Sequence, residues 1–209
     1  MPTIFEGALT ARDCKRHIPH AFNVPPNSTL VEVAFYFSPY TMHGTNNMLT
    51  LTIFDAAGFR GAGHRGGDAH AVQIGPTAAT PGYHAGPLPP GEWIVQIDTH
   101  MIMPGAPVHY RLEVNVTTGD TVPAPPPASA RRLPQRGAGW YRGDLHSHTE
   151  HSDATQRSAT ELVQMAREHQ LDFLFLTDHN TTSCLAEFET LGDERFLTAG
   201  GLELTTFWG

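Results

Sequence analysis

A proline-rich segment constrains this chain more than any other feature. Residues Thr117 to Gly139 read TTGDTVPAPPPASARRLPQRGAG and hold Pro123, Pro125, Pro126, Pro127 and Pro134. Proline fixes φ and lacks a backbone N–H, so neither a helix interior nor a central strand can run through such a stretch. The segment also lacks apolar periodicity and reads as an extended linker over residues 119–139. It separates a first part, residues 1–118, from a second, residues 140–209. A length of 209 residues suits two domains.

The first part carries short runs of β character between turn signals. Thr29–Phe37, Met48–Asp55, Glu92–Asp98 and Val108–Val116 are examples. The last alternates: Val108, Tyr110, Leu112, Val114 and Val116 share one face, and His109, Arg111, Glu113 and Asn115 the other. Period two marks a half-buried antiparallel strand. Clusters such as GPLPPGEW supply the turns. An accessory β-sandwich or jelly roll is expected over 1–118. Its eight histidines (His17, His20, His43, His64, His70, His84, His100 and His109) are scattered, with His17/His20 the one short-spaced pair.

Beyond the linker the pattern changes. Ser158-Ala159-Thr160-Glu161 is a capping box and opens a helix with an apolar stripe at Leu162, Val163, Met165 and Ala166. The run Leu171–Leu176 is nearly all apolar, as in a strand covered on both faces. A second helix is expected over Ser183–Leu191, stopped by Gly192, and a last strand near Phe196–Leu204. The alternation predicts parallel α/β structure.

Charge is as uneven as structure. The chain holds 13 Lys and Arg against 21 Asp and Glu, and residues 140–209 account for twelve of the acids but only four of the bases. This balance argues against binding a phosphate backbone, so nucleic acid is not an expected partner. No apolar run is long enough to span a bilayer, and the N-terminal residues show no basic head leading into an apolar stretch. Cys14 and Cys184 form no disulfide scaffold. A cytoplasmic protein is expected.

Three motifs fall where strands should end. In Asp144-Leu145-His146-Ser147-His148, residues i and i+2 of an extended segment point the same way, so His146 and His148 can present two imidazoles to one ion. Asp153 follows after a turn. Thr177-Asp178-His179-Asn180 comes directly after the apolar run, and Glu203 follows Gly200-Gly201-Leu202. The carboxyl ends of parallel strands share one edge, so the three motifs should converge. Imidazole and carboxylate together suit Zn, Mn or Fe. A bridging Glu203 could hold two ions about 3.5–4 Å apart sharing an activated hydroxide. Asp178 is read as the catalytic group of the set, orienting His179 or another ligand. His151 is placed in an outer shell or solvent, and His169 at a helix C-terminus.

The string G-D-L-H-S-H-T-x-H-S-D, then T-D-H-N, then G-x-E-L-T-T resembles the PHP (polymerase and histidinol phosphatase) superfamily, and within it the carbaryl-hydrolase-like metallohydrolases. The likeness covers Trp140–Gly209. It implies a TIM-like, distorted (β/α)7 barrel with two or three divalent metals, hydrolysing phosphoesters or related carboxylic or carbamic esters. By position, His146 and His148 would bind one metal, Glu203 would bridge, and Asp153 and His179 would serve a further metal. Ala154 stands where the family usually has Gly.

The expected fold class is thus multidomain. It combines an all-β sandwich with α/β structure forming the first three βα units of such a barrel, apparently truncated. An open barrel edge would then be available to a second copy of the chain. Two other functions stay open: an inactive metal-binding or assembly module, and ligand binding by the sandwich.

Overall fold

A computed structural model describes residues 1–120, 133–152 and 155–208. Asp153, Ala154 and linker residues 121–132 lie outside the described residues. The chain divides into two compact units, Met1–Pro125 and Pro126–Gly209.

The first unit is a β-sandwich. One sheet has the order β1 (Thr3–Leu9), β10 (Val108–Thr118), β3 (Ser28–Ser38), β8 (Ala69–Ile74). The other runs β2 (His17–Val24), β9 (Gly91–Met101), β6 (Met48–Asp55), β7 (Gly58–Gly63). All pairings in both sheets are antiparallel. A small hairpin, β4 (Thr41–Met42) with β5 (Thr45–Asn46), stands apart.

Alternation sets the register. In the first sheet Leu112 faces Phe35 and Val114 faces Val33; in the second Ile97 faces Leu51 and Val95 faces Ile53. All eight are buried in one core with Phe37 and Trp93. A one-residue slip would turn this apolar set outward, so the pattern specifies the pairing. Trp93 Nε1 donates to Pro89 O at 2.9 Å and Tyr83 Oη to Leu51 O at 3.0 Å, so the polar atoms of these two buried rings are satisfied. Tyr83 also requires Gly61: a Cβ there would come within 2.5 Å of Tyr83 Cα, and φ is +135°.

The second unit corrects the expected fold class. It was read as the first three βα units of a (β/α)7 barrel, but the described residues are dominated by antiparallel sheets, with two short α-helices. In this unit β11 (Gly143–Asp144), β12 (Phe173–Leu176) and β13 (Leu197–Gly200) form a three-stranded parallel sheet. Helix α1 (Ala159–Glu168) has ten residues and α2 (Leu185–Phe188) four. Strands of two and four residues beside a four-residue helix are too slight for barrel units, whose strands must each be covered by a helix. Without a barrel segment, a second copy docking at an open barrel edge loses its basis.

Local chemistry explains the shortfall. The helix expected from Ser183 begins only at Leu185, because the Thr181 hydroxyl accepts the Ser183 N–H at 3.2 Å and holds a turn. It ends in a 3-10 turn, Glu189–Leu191, and Gly192 is extended rather than left-handed. The strand expected to Leu204 stops at Gly200, which packs against Leu185 too closely for any side chain. Strand β12 is not covered on both faces: Leu174 and Leu176 are buried, Phe173 and Phe175 only half-buried. Helix α1 keeps its capping box. Ser158 Oγ accepts from Glu161 N, and Glu161 Oε2 accepts from Ser158 N.

Candidate metal centre

The parallel sheet brings distant motifs to one edge. His146 and His148 lie just past β11, His179 just past β12, and Glu203 just past β13. The His179–Glu203 pairing continues the parallel ladder as an isolated bridge. Glu203 N donates to Asp178 O at 3.2 Å, and Asn180 N donates to Glu203 O at 3.0 Å. Glu203 is therefore placed by its main chain, on both sides, before its carboxylate does anything.

One carboxylate oxygen meets three imidazoles. Glu203 Oε2 is 2.7 Å from His146 Nε2, 3.2 Å from His148 Nε2 and 3.6 Å from His179 Nδ1. The rings of His146 and His148 have centroids 4.9 Å apart, and His179 stacks on His148 at 4.6 Å and 14°. Ligand atoms of His146, His148 and Glu203 all lie within 4.8 Å of one another. Among the described residues, this is the group of that kind which the fold assembles.

The electrostatics follow from the crowding. Bonding to His146 holds the Glu203 carboxyl below its usual range, with the neighbouring imidazoles adding to the effect. Burial, aided by His179, pushes the His148 imidazole below the usual value, against the pull of Glu203. His148 Nδ1 is buried without a hydrogen-bond partner. The donor set fits a divalent cation: borderline nitrogen ligands beside one anionic oxygen, in reach of a common point.

Asp178 serves the loop that carries the two histidines. Its carboxylate is buried, 2% exposed, and accepts from Thr149 N at 2.7 Å, Thr149 Oγ1 at 2.6 Å and Ser152 Oγ at 3.0 Å. Thr177 N donates to Ser147 O at 2.8 Å, and Ser147 Oγ to Phe175 O at 2.6 Å. The His146–His148 segment is thereby fastened to the end of β12. The placements of Asp153 and Ala154 lie outside the described residues. His151 Nδ1 lies 2.7 Å from Ser183 Oγ, and His169 caps α1 at its C-terminus.

Two residues of the site carry roles the sequence did not announce. The Asn180 side chain donates to Thr205 O and accepts from Thr205 N, both at 2.9 Å. Thr205 Oγ1 in turn lies 2.6 Å from His179 Nδ1. Asn180 has φ +53°, a left-handed conformation that asparagine tolerates. An Asn just past a strand was the available signal.

Among the described residues, the sandwich histidines gather no such group. His17 Nδ1 pairs with Asp98 Oδ1 at 2.6 Å, whereas His20 sits among Phe5 and Tyr110, with ring centroids at 4.8 and 5.6 Å. The one short-spaced pair is thus divided between two different environments.

No protein-family model matches the chain, and no curated protein matches it.

Proposed function

We propose that this protein is a divalent-metal-dependent hydrolase acting on phosphoesters or related carboxylic or carbamic esters, as its likeness to the PHP superfamily implies. The observation that supports it is the meeting of His146, His148 and Glu203 ligand atoms within 4.8 Å, from segments more than fifty residues apart. His146 and His148 would hold the ion through imidazole nitrogen and Glu203 through its carboxylate, with His179 beside them; zinc, manganese and iron suit this set. When bound, such an ion lowers the pKa of water and polarises an ester or phosphoryl oxygen.

The chain's own residues do the rest. Glu203 gathers the imidazoles around one oxygen and supplies the negative charge that favours a cation. Asp178 keeps the Thr149–Ser152 turn closed and so fixes the angle at which His148 enters. His146 is largely exposed, which leaves a side of the cluster open to an incoming ester.

The test is reconstitution of the full chain with Zn or Mn, followed by assay on p-nitrophenyl phosphate, bis-p-nitrophenyl phosphate and p-nitrophenyl acetate. Metal-dependent turnover of at least one, lost in His148→Ala and Glu203→Gln, is expected. Turnover equal in the variants, or absent from metal-loaded protein on all three, overturns the reading.

A further inference from the structure

The outward face of the first sheet carries residues that strand formation does not ask for. Pairing sets its side chains in rows across the strands. Glu6, Arg111, Tyr36 and Ala69 form one row; Ile4, Glu113, Ala34 and Ala71 form the next; Asn115, Glu32 and Gln73 form a third. Tyr36 is 52% exposed, and Ala34, Ala69 and Ala71 beside it are exposed too. Alanine is a poor strand former, and a larger side chain would make better cross-strand pairs at these positions. What alanine leaves there is room. Two hollows, of about 330 and 590 Å³, both border Tyr36 and Arg111; the first extends to Ala71 and the second to Ala8. The Tyr36–Arg111 pair is therefore open on both sides.

The polar groups around Tyr36 are already held in place. Arg111 donates to Glu6 Oε1 at 2.5 Å and to Glu113 Oε2 at 3.3 Å. Glu32 accepts from Gln73 Nε2 at 3.0 Å and from Asn115 Nδ2 at 3.1 Å. Side chains ordered before a ligand arrives cost less to order when it binds. Each group sets an obligate acceptor beside an obligate donor. A hydroxyl both donates and accepts, so one hydroxyl can bond a carboxylate and the guanidinium or amide next to it. The C–H face of a sugar ring packs on the negative face of an aromatic ring, which Tyr36 offers. Glu32 lies four residues from Tyr36, about 13 Å along the strand, so the face suits several linked rings rather than one.

The same face disfavours other ligands. Glu6, Glu32 and Glu113 outnumber Arg111, which repels an anionic chain. Tyr36 and Ile4 are its exposed large apolar side chains, too few for the apolar centre of a protein interface. We propose that this face is a binding site for a neutral oligosaccharide, with Tyr36 as the stacking platform and Arg111, Glu113 and Glu32 as hydroxyl partners. The site belongs to the sandwich, goes beyond the proposed hydrolase and does not depend on it.

The experiment is calorimetric titration of the full chain with cellohexaose, xylohexaose, mannohexaose and maltohexaose. An oligogalacturonate and a lysine-rich peptide serve as the anionic and cationic counterparts. The expected result is binding of at least one neutral oligosaccharide, weakened about tenfold or more in Tyr36→Ala and largely kept in Tyr36→Phe. Arg111→Ala should weaken it as well. Phe59→Ala, which removes an exposed aromatic ring of the other sheet, should leave it unchanged. An unchanged unfolding midpoint in Tyr36→Ala shows that the loss is one of contact rather than of fold. Binding of none of the four neutral chains, or equal binding by the parent and Tyr36→Ala, overturns the proposal. So does tighter binding of the galacturonate or of the peptide.

Discussion

Both units are rich in histidine, and they spend it in opposite ways. The sandwich carries eight of the thirteen, yet His17 pairs with Asp98, His20 lies against Tyr110, and His100 lies beside Thr50 and His64. The small unit carries five and brings three of them to one carboxylate oxygen. Strand direction is the difference. Antiparallel neighbours end at opposite edges, so residues past successive strands are sent apart. Parallel neighbours end together, so residues past β11, β12 and β13 meet at one edge. Histidine density alone says little about a site; where the strand ends fall says more.

That contrast can be broken in order of effect. The largest change should come from the sandwich core. Phe37 is fully buried, and Phe37→Ala should cost about 3–5 kcal/mol in urea unfolding. Fluorescence is a suitable probe, because Trp93 is buried whereas Trp140 and Trp208 are exposed. Cobalt uptake should survive that substitution. If it vanished while the protein remained folded, the separation of roles would be wrong.

Next comes the centre itself. Glu203→Gln keeps the shape but removes the charge that three imidazoles share. Loss of an outer partner of a metal ligand costs ~10–100-fold, and loss of a ligand should cost no less. Calorimetric titration with Zn reads this directly, and the sandwich transition should not move.

Acid should act on the sandwich. Burial, with repulsion from His64, lowers His100 to about 4, while Asp98 opposes the shift and His17 adds to it. Burial also lowers His70 and His20. Each takes up its proton in the unfolded chain before the folded one. Stability is therefore full above about pH 6.5 and declines as pH falls toward about 4. Urea midpoints across that window should fall, and His100→Gln should flatten the decline. A midpoint independent of pH there would contradict the burial argument.

The smallest effect belongs to the start of α1. Ser158→Ala removes one side of a reciprocal cap and should cost about 1 kcal/mol. Proteolysis between α1 and β12 should quicken slightly, with the sandwich untouched.

The sequence made the sandwich strands legible because alternation has a physical consequence at every residue. Val108, Leu112 and Val114 could face only inward once His109, Arg111 and Asn115 faced out. The convergence of His146, His148 and Glu203 was legible for the same kind of reason: an i, i+2 pair and parallel strand ends. What misled was extent. The apolar run Leu171–Leu176 looked like a fully covered strand, but burial alternates along it. The helix from Ser183 looked long, but the Thr181 hydroxyl captured the Ser183 N–H first. Short-range competition for N–H groups is invisible to periodicity, and the elements proved too short for the barrel that the resemblance to the PHP superfamily implied. Thr205 and Asn180 were hidden differently. Their roles depend on a side-chain amide standing in for backbone, which no spacing rule encodes.

The central claim is that one edge of the parallel sheet holds a cation through His146, His148 and Glu203. Zinc titration of the metal-free full chain, set beside the His146→Ala/His148→Ala/Glu203→Gln variant, tests it most directly. The account expects saturable uptake near one equivalent or more in the parent and its loss in the variant, with the sandwich transition unchanged. Identical weak uptake by both proteins, as exposed histidines alone would give, would contradict it.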